Sequence, residues 1–314
     1  MFMLTATLHA LSWALAKKPL VRHLRPANNS SSTFMDALDL ASNLRGCGWD
    51  WSRGLHVPRE IRPTHRIAFA FYALLSGVAH FLVDSALHQA IQTFTTSTGA
   101  ERPTIFDDTL PVHVRYLRAG IIATLTGFAT QCGVQMGYDL CTALGVLVLG
   151  HHPAQWPPAF DNPWYATSLA DFWGRRWHQF FRHVFLVGAH PCAAVFGRVG
   201  GIVGAFVMSG VCHHIMMIAS DGRSEMWRML VGFGMMALGV LIERASYQAT
   251  GRKVGGVVGW VWTMTWLLVW GSVTVDGFVR SSMFMPKSGV YSLVPVRMLI
   301  DNLVIDFDAW LHTI

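Results

Sequence analysis

The chain has 314 residues, 52% of them hydrophobic and 13% charged, about half the charged share of an ordinary soluble domain. The hydrophobic residues lie in long blocks: 199–219 and 254–275 hold no Asp, Glu, Lys or Arg, which excludes a soluble globular fold. The net charge of +6 collects at the ends of such blocks, at Lys17 and Lys18, Arg22 and Arg25, Arg115 and Arg118, and Arg252 and Lys253. There it implies orientation signals and contacts with anionic lipid, and no nucleic acid.

Roughly 20 helical residues cross the ~30 Å hydrocarbon layer, and backbone groups at that depth need internal partners, so the blocks are expected to be helices. Met1 to Ala16 reads as a short anchor or the remainder of a span, because its positive charges follow the apolar run instead of preceding it as in a secretory signal. Lys17 to His65 is polar, with a loop at Asn28 to Ser32. Arg66 to Phe94 reads as a span with His80, Asp84 and His88 one turn apart on one face. Ala119 to Gly150 is one long tilted helix or two short ones. Proline and tryptophan make His151 to Pro163 a loop. Met226 to Ile242 and Gly255 to Val275 are further spans, and Tyr291 to Ile314 is an interfacial or buried helix. The expectation is an all-α polytopic membrane protein of about six to eight transmembrane helices around an intramembrane catalytic chamber. An anchor and polar segment, 1–65, precedes a membrane-embedded domain, 66–314. Five cysteines form no CxxC pair, so neither a disulfide framework nor a zinc site follows.

Two segments carry chemistry. In Asn162 to Gly188, Ser168 is placed to cap a helix, with Asp171 as the return partner of a capping box. Wound as a helix, the run puts Asp171, Arg175, His178 and Arg182 on one stripe, opposite Trp173, Trp177, Phe180, Phe181 and Val184. Such a helix either lies in the bilayer interface or turns its polar stripe into a cavity. The second segment, Phe206 to Ser220, holds adjacent His213 and His214 deep in an apolar run. They are either packing residues bonded to carbonyls or the lining of a water-filled space. Ser209 shares the face of His213, and Gly197, Gly200, Gly201 and Gly204 allow close approach of a neighbouring backbone.

On these residues the chain resembles the wax synthase branch of the membrane-bound O-acyltransferases, particularly fungal members that acylate terpenoid or other secondary-metabolite alcohols. SLADFWGRRWHQFFR (Ser168 to Arg182), FVMSGVCHH (Phe206 to His214) and RGCGWDW (Arg45 to Trp51) look like three of its motifs, in the family's order. The resemblance implies that His213 is the catalytic histidine and that His178 takes the place of a second signature residue, asparagine in many relatives. Asn162, Asp171, Trp173, Arg175, Arg176, Trp177, Ser209 and His214 are then expected to bind substrate or support the site. Two departures stand out. His214 occupies a place where a partner acid is common. A single weak span precedes RGCGWDW, so either helices usual in the family are missing or the sequence begins late.

The implied reaction moves an acyl group from acyl-CoA to a lipophilic alcohol, with acyl-CoA, acetyl-CoA first, as co-substrate and with no cofactor or metal. An alcohol attacks a thioester only as its proton is removed, and a neutral histidine suits that task. The resemblance favours acetyl transfer to a secondary-metabolite alcohol over long-chain wax ester synthesis, and places the protein in the endoplasmic reticulum membrane. Two other classes stay open: a transporter-like protein using Asp84, Asp139, His80 and His213, and a di-iron oxidase, although the HxxHH pattern is missing.

Overall fold

The computed structural model describes residues 7–10, 13–14, 16, 18–23, 32–52, 54–96, 103–221, 224–281 and 294–314. Most of the expected N-terminal anchor, the basic residues Lys17 and Arg25, and residues 28–31 of the expected loop lie outside them. The main helices are α1 Thr33–Ser42, α2 Arg66–Thr96, α3 Val112–Leu147, α4 Arg182–Asp221, α5 Met226–Thr250, α6 Gly256–Arg280 and α7 Val294–Leu311. Among the described residues the only extended pairing is an isolated bridge between Arg22 and Trp49.

Four helices, α2, α4, α5 and α6, are long and apolar enough to cross a bilayer. Their outward faces carry exposed Leu75, Val78 and Leu82 on α2 and Val257, Val258 and Val269 on α6. Such surface is stable against lipid and costly against water. The protein is an integral membrane protein. The apolar run 119–150 is one helix, α3, which also takes in Arg115 and Arg118.

The His80–Asp84–His88 face of α2 turns towards α3. Asp139 of α3 accepts from the Ser76 hydroxyl at 2.7 Å and from Gln135 at 2.9 Å, and His88 lies 3.1 Å from Asp84. Buried acids in a membrane need such partners, and the Ser76–Asp139 bond joins the two helices. Helix α7 closes over this pair. Arg118 is fully buried, donating to Asp308 and to the Phe94 carbonyl, both at 2.6 Å, so it is a packing cation and not the expected lipid contact. Arg22 likewise bonds Asp36 at 2.9 Å.

The upstream RGCGWDW element braces the loop between α3 and α4. Buried Arg45 donates to the Pro158 carbonyl at 2.7 Å, with further bonds to the Pro157 carbonyl and the Tyr138 hydroxyl. Its guanidinium also stacks 5.2 Å from the Phe180 ring.

Two expectations fail locally, for identifiable reasons. The run from Ser168 is no continuous helix: one turn, Leu169–Asp171, passes into a π-turn, Phe172–Arg176, and Trp177 is extended (ψ 151°). Regular helix resumes only at Arg182. The single stripe of Asp171, Arg175, His178 and Arg182 therefore does not form, because it needs an unbroken 3.6-residue period.

Helix α4 is also two arms. Phe196 and Gly197 leave helical geometry, Gly197 at φ 61° and ψ −151°, a conformation that glycine adopts without a Cβ penalty. The arms, 182–195 and 198–221, then fold back on each other. A Cβ on Gly188 would stand 2.9 Å from the Gly204 carbonyl oxygen, and one on Gly204 2.6 Å from that of Gly188. The glycines thus do form a close backbone seam, but the partner is the first arm of their own helix.

Candidate active site

The second arm of α4 presents His213 to the interior. Its Nδ1 lies 2.7 Å from the Ser209 carbonyl one turn earlier. A carbonyl only accepts, so Nδ1 carries the proton and Nε2 keeps its lone pair. Phe233 of α5 packs on the imidazole with ring centroids 4.6 Å apart, and Phe278 of α6 lies 6.0 Å away. The ring is thus oriented by a backbone bond and clamped between two other helices.

His178 reaches the same space from the irregular stretch 177–181. It sits among Phe160, Trp177, Phe180 and Phe181, stacked on Phe180 at 5.6 Å. Its buried Nδ1 has no hydrogen-bond partner among the described residues. Burial, and after it the neighbouring His213 and Arg45, push the His178 imidazole well below the ordinary histidine pKa. It is neutral at physiological pH.

Both histidines line one cavity of about 1030 Å³, together with Trp173, Trp177 and Ser209. Its other walls are mainly apolar, from α3, α5, α6 and both arms of α4. Apolar walls with few polar groups mark small-molecule sites.

The remaining expected residues stand behind this wall. Asp171 pairs with Arg176 rather than with Arg175, and Arg176 also donates to the carbonyls of Asp161 and Asn162 at 3.0 and 3.2 Å. Asn162 adopts a left-handed backbone (φ 45°) at that bend. Arg175 is exposed. His214 faces away, its Nδ1 2.8 Å from the Ser224 hydroxyl. The Ser168 hydroxyl does accept from the Asp171 N–H at 3.0 Å, while the Asp171 carboxylate goes to Arg176 instead of closing a capping box.

One residue that sequence reading missed fixes the whole turn. Buried Glu243 of α5 accepts from the backbone N–H groups of Leu169 (2.6 Å) and Ala170 (3.0 Å) and from the Trp262 indole (3.0 Å). It satisfies the helix-start donors that Ser168 leaves free. Gln179 holds the other end, donating to the carbonyls of Trp173 and Trp177. Nothing in the local pattern announced either partner. Among the described residues no three His, Cys, Asp or Glu side chains group as a metal site would require.

The fold and site thus define a helical membrane protein with two histidines on an apolar chamber. Residues 156–235 match the pattern of the membrane bound O-acyl transferase family. The chain is 28% identical to the acetyltransferase ple2 of Rhodocybe pseudopiperita, over 81% of this chain and 70% of that protein. It is 30% identical to the acetyltransferase aurG of Calcarisporium arbuscula, over 48% of this chain and 41% of that protein. A probable long-chain-alcohol O-fatty-acyltransferase of Arabidopsis thaliana (number 8) is 27% identical, over 42% and 41%. The chain therefore spans most of ple2 but under half the length of the other two. No solved structure matches. Over residues 156–235 the chain thus carries the pattern of the membrane bound O-acyl transferase family, and the relatives it resembles are named as acetyltransferases and O-fatty-acyltransferases.

Proposed function

We propose that the protein transfers an acetyl group from acetyl-CoA to the hydroxyl of a lipophilic secondary-metabolite alcohol at the endoplasmic reticulum membrane. The observation that carries the catalytic assignment is the hydrogen bond from His213 Nδ1 to the Ser209 carbonyl. It leaves Nε2 as a base within a chamber that also holds His178.

In this reading the acceptor hydroxyl approaches Nε2 of His213, which takes its proton as the oxygen attacks the thioester carbon. The tetrahedral adduct collapses, the C–S bond breaks, and the imidazolium returns the proton to the departing CoA thiolate. No covalent acyl-enzyme forms. Neutral His178 orients the acceptor or donates to the developing oxyanion, where a dry site makes each donor count. Asp171, Arg176 and Asn162 support the turn from behind, and Trp173 and Trp177 form its apolar wall.

Long-chain acyl transfer is the second reading. The volume and apolar walls of the chamber suit a fatty chain, and the Arabidopsis relative is named for such a substrate. One experiment decides: microsomes expressing the protein receive acetyl-CoA and a long-chain acyl-CoA in parallel, with a panel of alcohols, and the product masses are read. Acetylated product supports the first reading, and long-chain esters alone would replace it. Full activity in the His213→Ala protein would remove the catalytic assignment.

A further inference from the structure

Of the signature arginines, Arg176 is committed to Asp171 and two carbonyls, and neither it nor Arg175 lines the cavity. The cations that do line it are Arg182 and Arg198, one on each arm of the α4 hairpin, with His190 near the tip. Among the described lining residues there is no Asp or Glu, so no carboxylate offsets this charge inside the cavity. Neither Arg198 nor His190 has an ion pair or side-chain hydrogen bond among the described residues.

From the tip at Arg198, the second arm runs to His213, about 22 Å at 1.5 Å per residue. The cavity is lined at both ends of that path, by Arg198 and by His213. This length is comparable to an extended pantetheine arm, which separates a thioester from the phosphates of its carrier. Arginine recognises phosphate through charge-assisted hydrogen bonds, and both Arg198 and His190 are exposed, open to a charged group.

We infer that Arg198 and His190, at the tip of the α4 hairpin, bind the phosphate-bearing end of the acyl donor while the thioester reaches His213. The inference rests on the acyl-CoA reading above and names the residues that read the donor. Arg182 lies at the opposite end of the first arm, level with the catalytic pair, and is not part of this site.

The test uses protein in nanodiscs with acetyl-CoA and acetyl-pantetheine as alternative donors, the second lacking every phosphate. Wild type should prefer acetyl-CoA in kcat/KM. In Arg198→Gln that preference should shrink about tenfold, the loss of one charge-assisted contact, through KM for acetyl-CoA and not through kcat. Arg198→Lys should recover part of it. Equal use of both donors by wild type, or an unchanged preference in Arg198→Gln, would overturn the assignment. Absence of turnover with acetyl-CoA, acetyl-pantetheine and a long-chain acyl-CoA alike would instead remove the acyl-CoA reading, and this assignment with it.

Discussion

The two histidines of the chamber are held in contrasting ways. His213 rides on regular helix, its Nδ1 proton committed to the carbonyl one turn back and its ring clamped by Phe233 and Phe278. His178 sits on a broken stretch between a π-turn and the next helix, without a partner for its buried Nδ1 among the described residues. One ring is preorganised by its own helix. The other depends on distant supports, Glu243 and Gln179 for the turn and Arg45 behind Phe180. The difference suggests a division of labour, a fixed base facing a more adaptable group.

The largest effect tests the fixed side. His213→Ala should lower kcat roughly 10²- to 10⁴-fold, the usual contribution of a general base, with the folded protein still monodisperse on size exclusion. A smaller loss would mean that the chamber does not depend on this proton acceptor.

Next comes the support of the adaptable side. Glu243→Ala strands two backbone donors and an indole, at a cost of about 1–3 kcal/mol in stability, and should loosen the turn bearing Trp173 and His178. Activity should fall about tenfold or more, with Glu243→Gln intermediate, as measured by thermal unfolding and turnover on the same preparations. If stability drops while kcat/KM holds, the turn does not position the site.

His178→Asn should cost less than His213→Ala, because an amide can still orient or donate. Its lowered pKa keeps His178 neutral from pH 8 down to pH 6, since protonation would need a pH below that lowered value. The kcat/KM profile over this window should therefore have the same shape in wild type and His178→Asn. A limb that vanishes in the variant would show that His178 titrates there. The smallest effects separate the adjacent arginines: Arg176→Ala should destabilise by about 1 kcal/mol through its half-buried pair with Asp171, whereas exposed Arg175→Ala should change neither stability nor rate.

How much of this was legible in the sequence follows the same contrast. The second arm could be read because a helix keeps its period: Ser209 and His213 one turn apart are both on the cavity wall. The helical class and the glycine seam were legible for the same reason. The 168–181 stretch misled, since a π-turn and an extended Trp177 shift every later side chain off the projected stripe. Glu243 was invisible because it meets Leu169 from 74 positions away, and Arg118 looked like a flank until Asp308 met it from 190. Local pattern reports local bonds only.

The fold-back at Gly197 also bears on sidedness. Read as one uninterrupted rod, residues 182–221 would carry the chain from one aqueous compartment to the other. Folded at its middle, the segment has a 14-residue first arm, about 21 Å long and too short to traverse the hydrocarbon alone, and a second arm, 198–221, of about 36 Å, which is long enough. Topology maps built from reporter fusions or accessible-cysteine labelling should therefore find the crossing in 198–221 alone, with the hairpin tip at one face of the membrane.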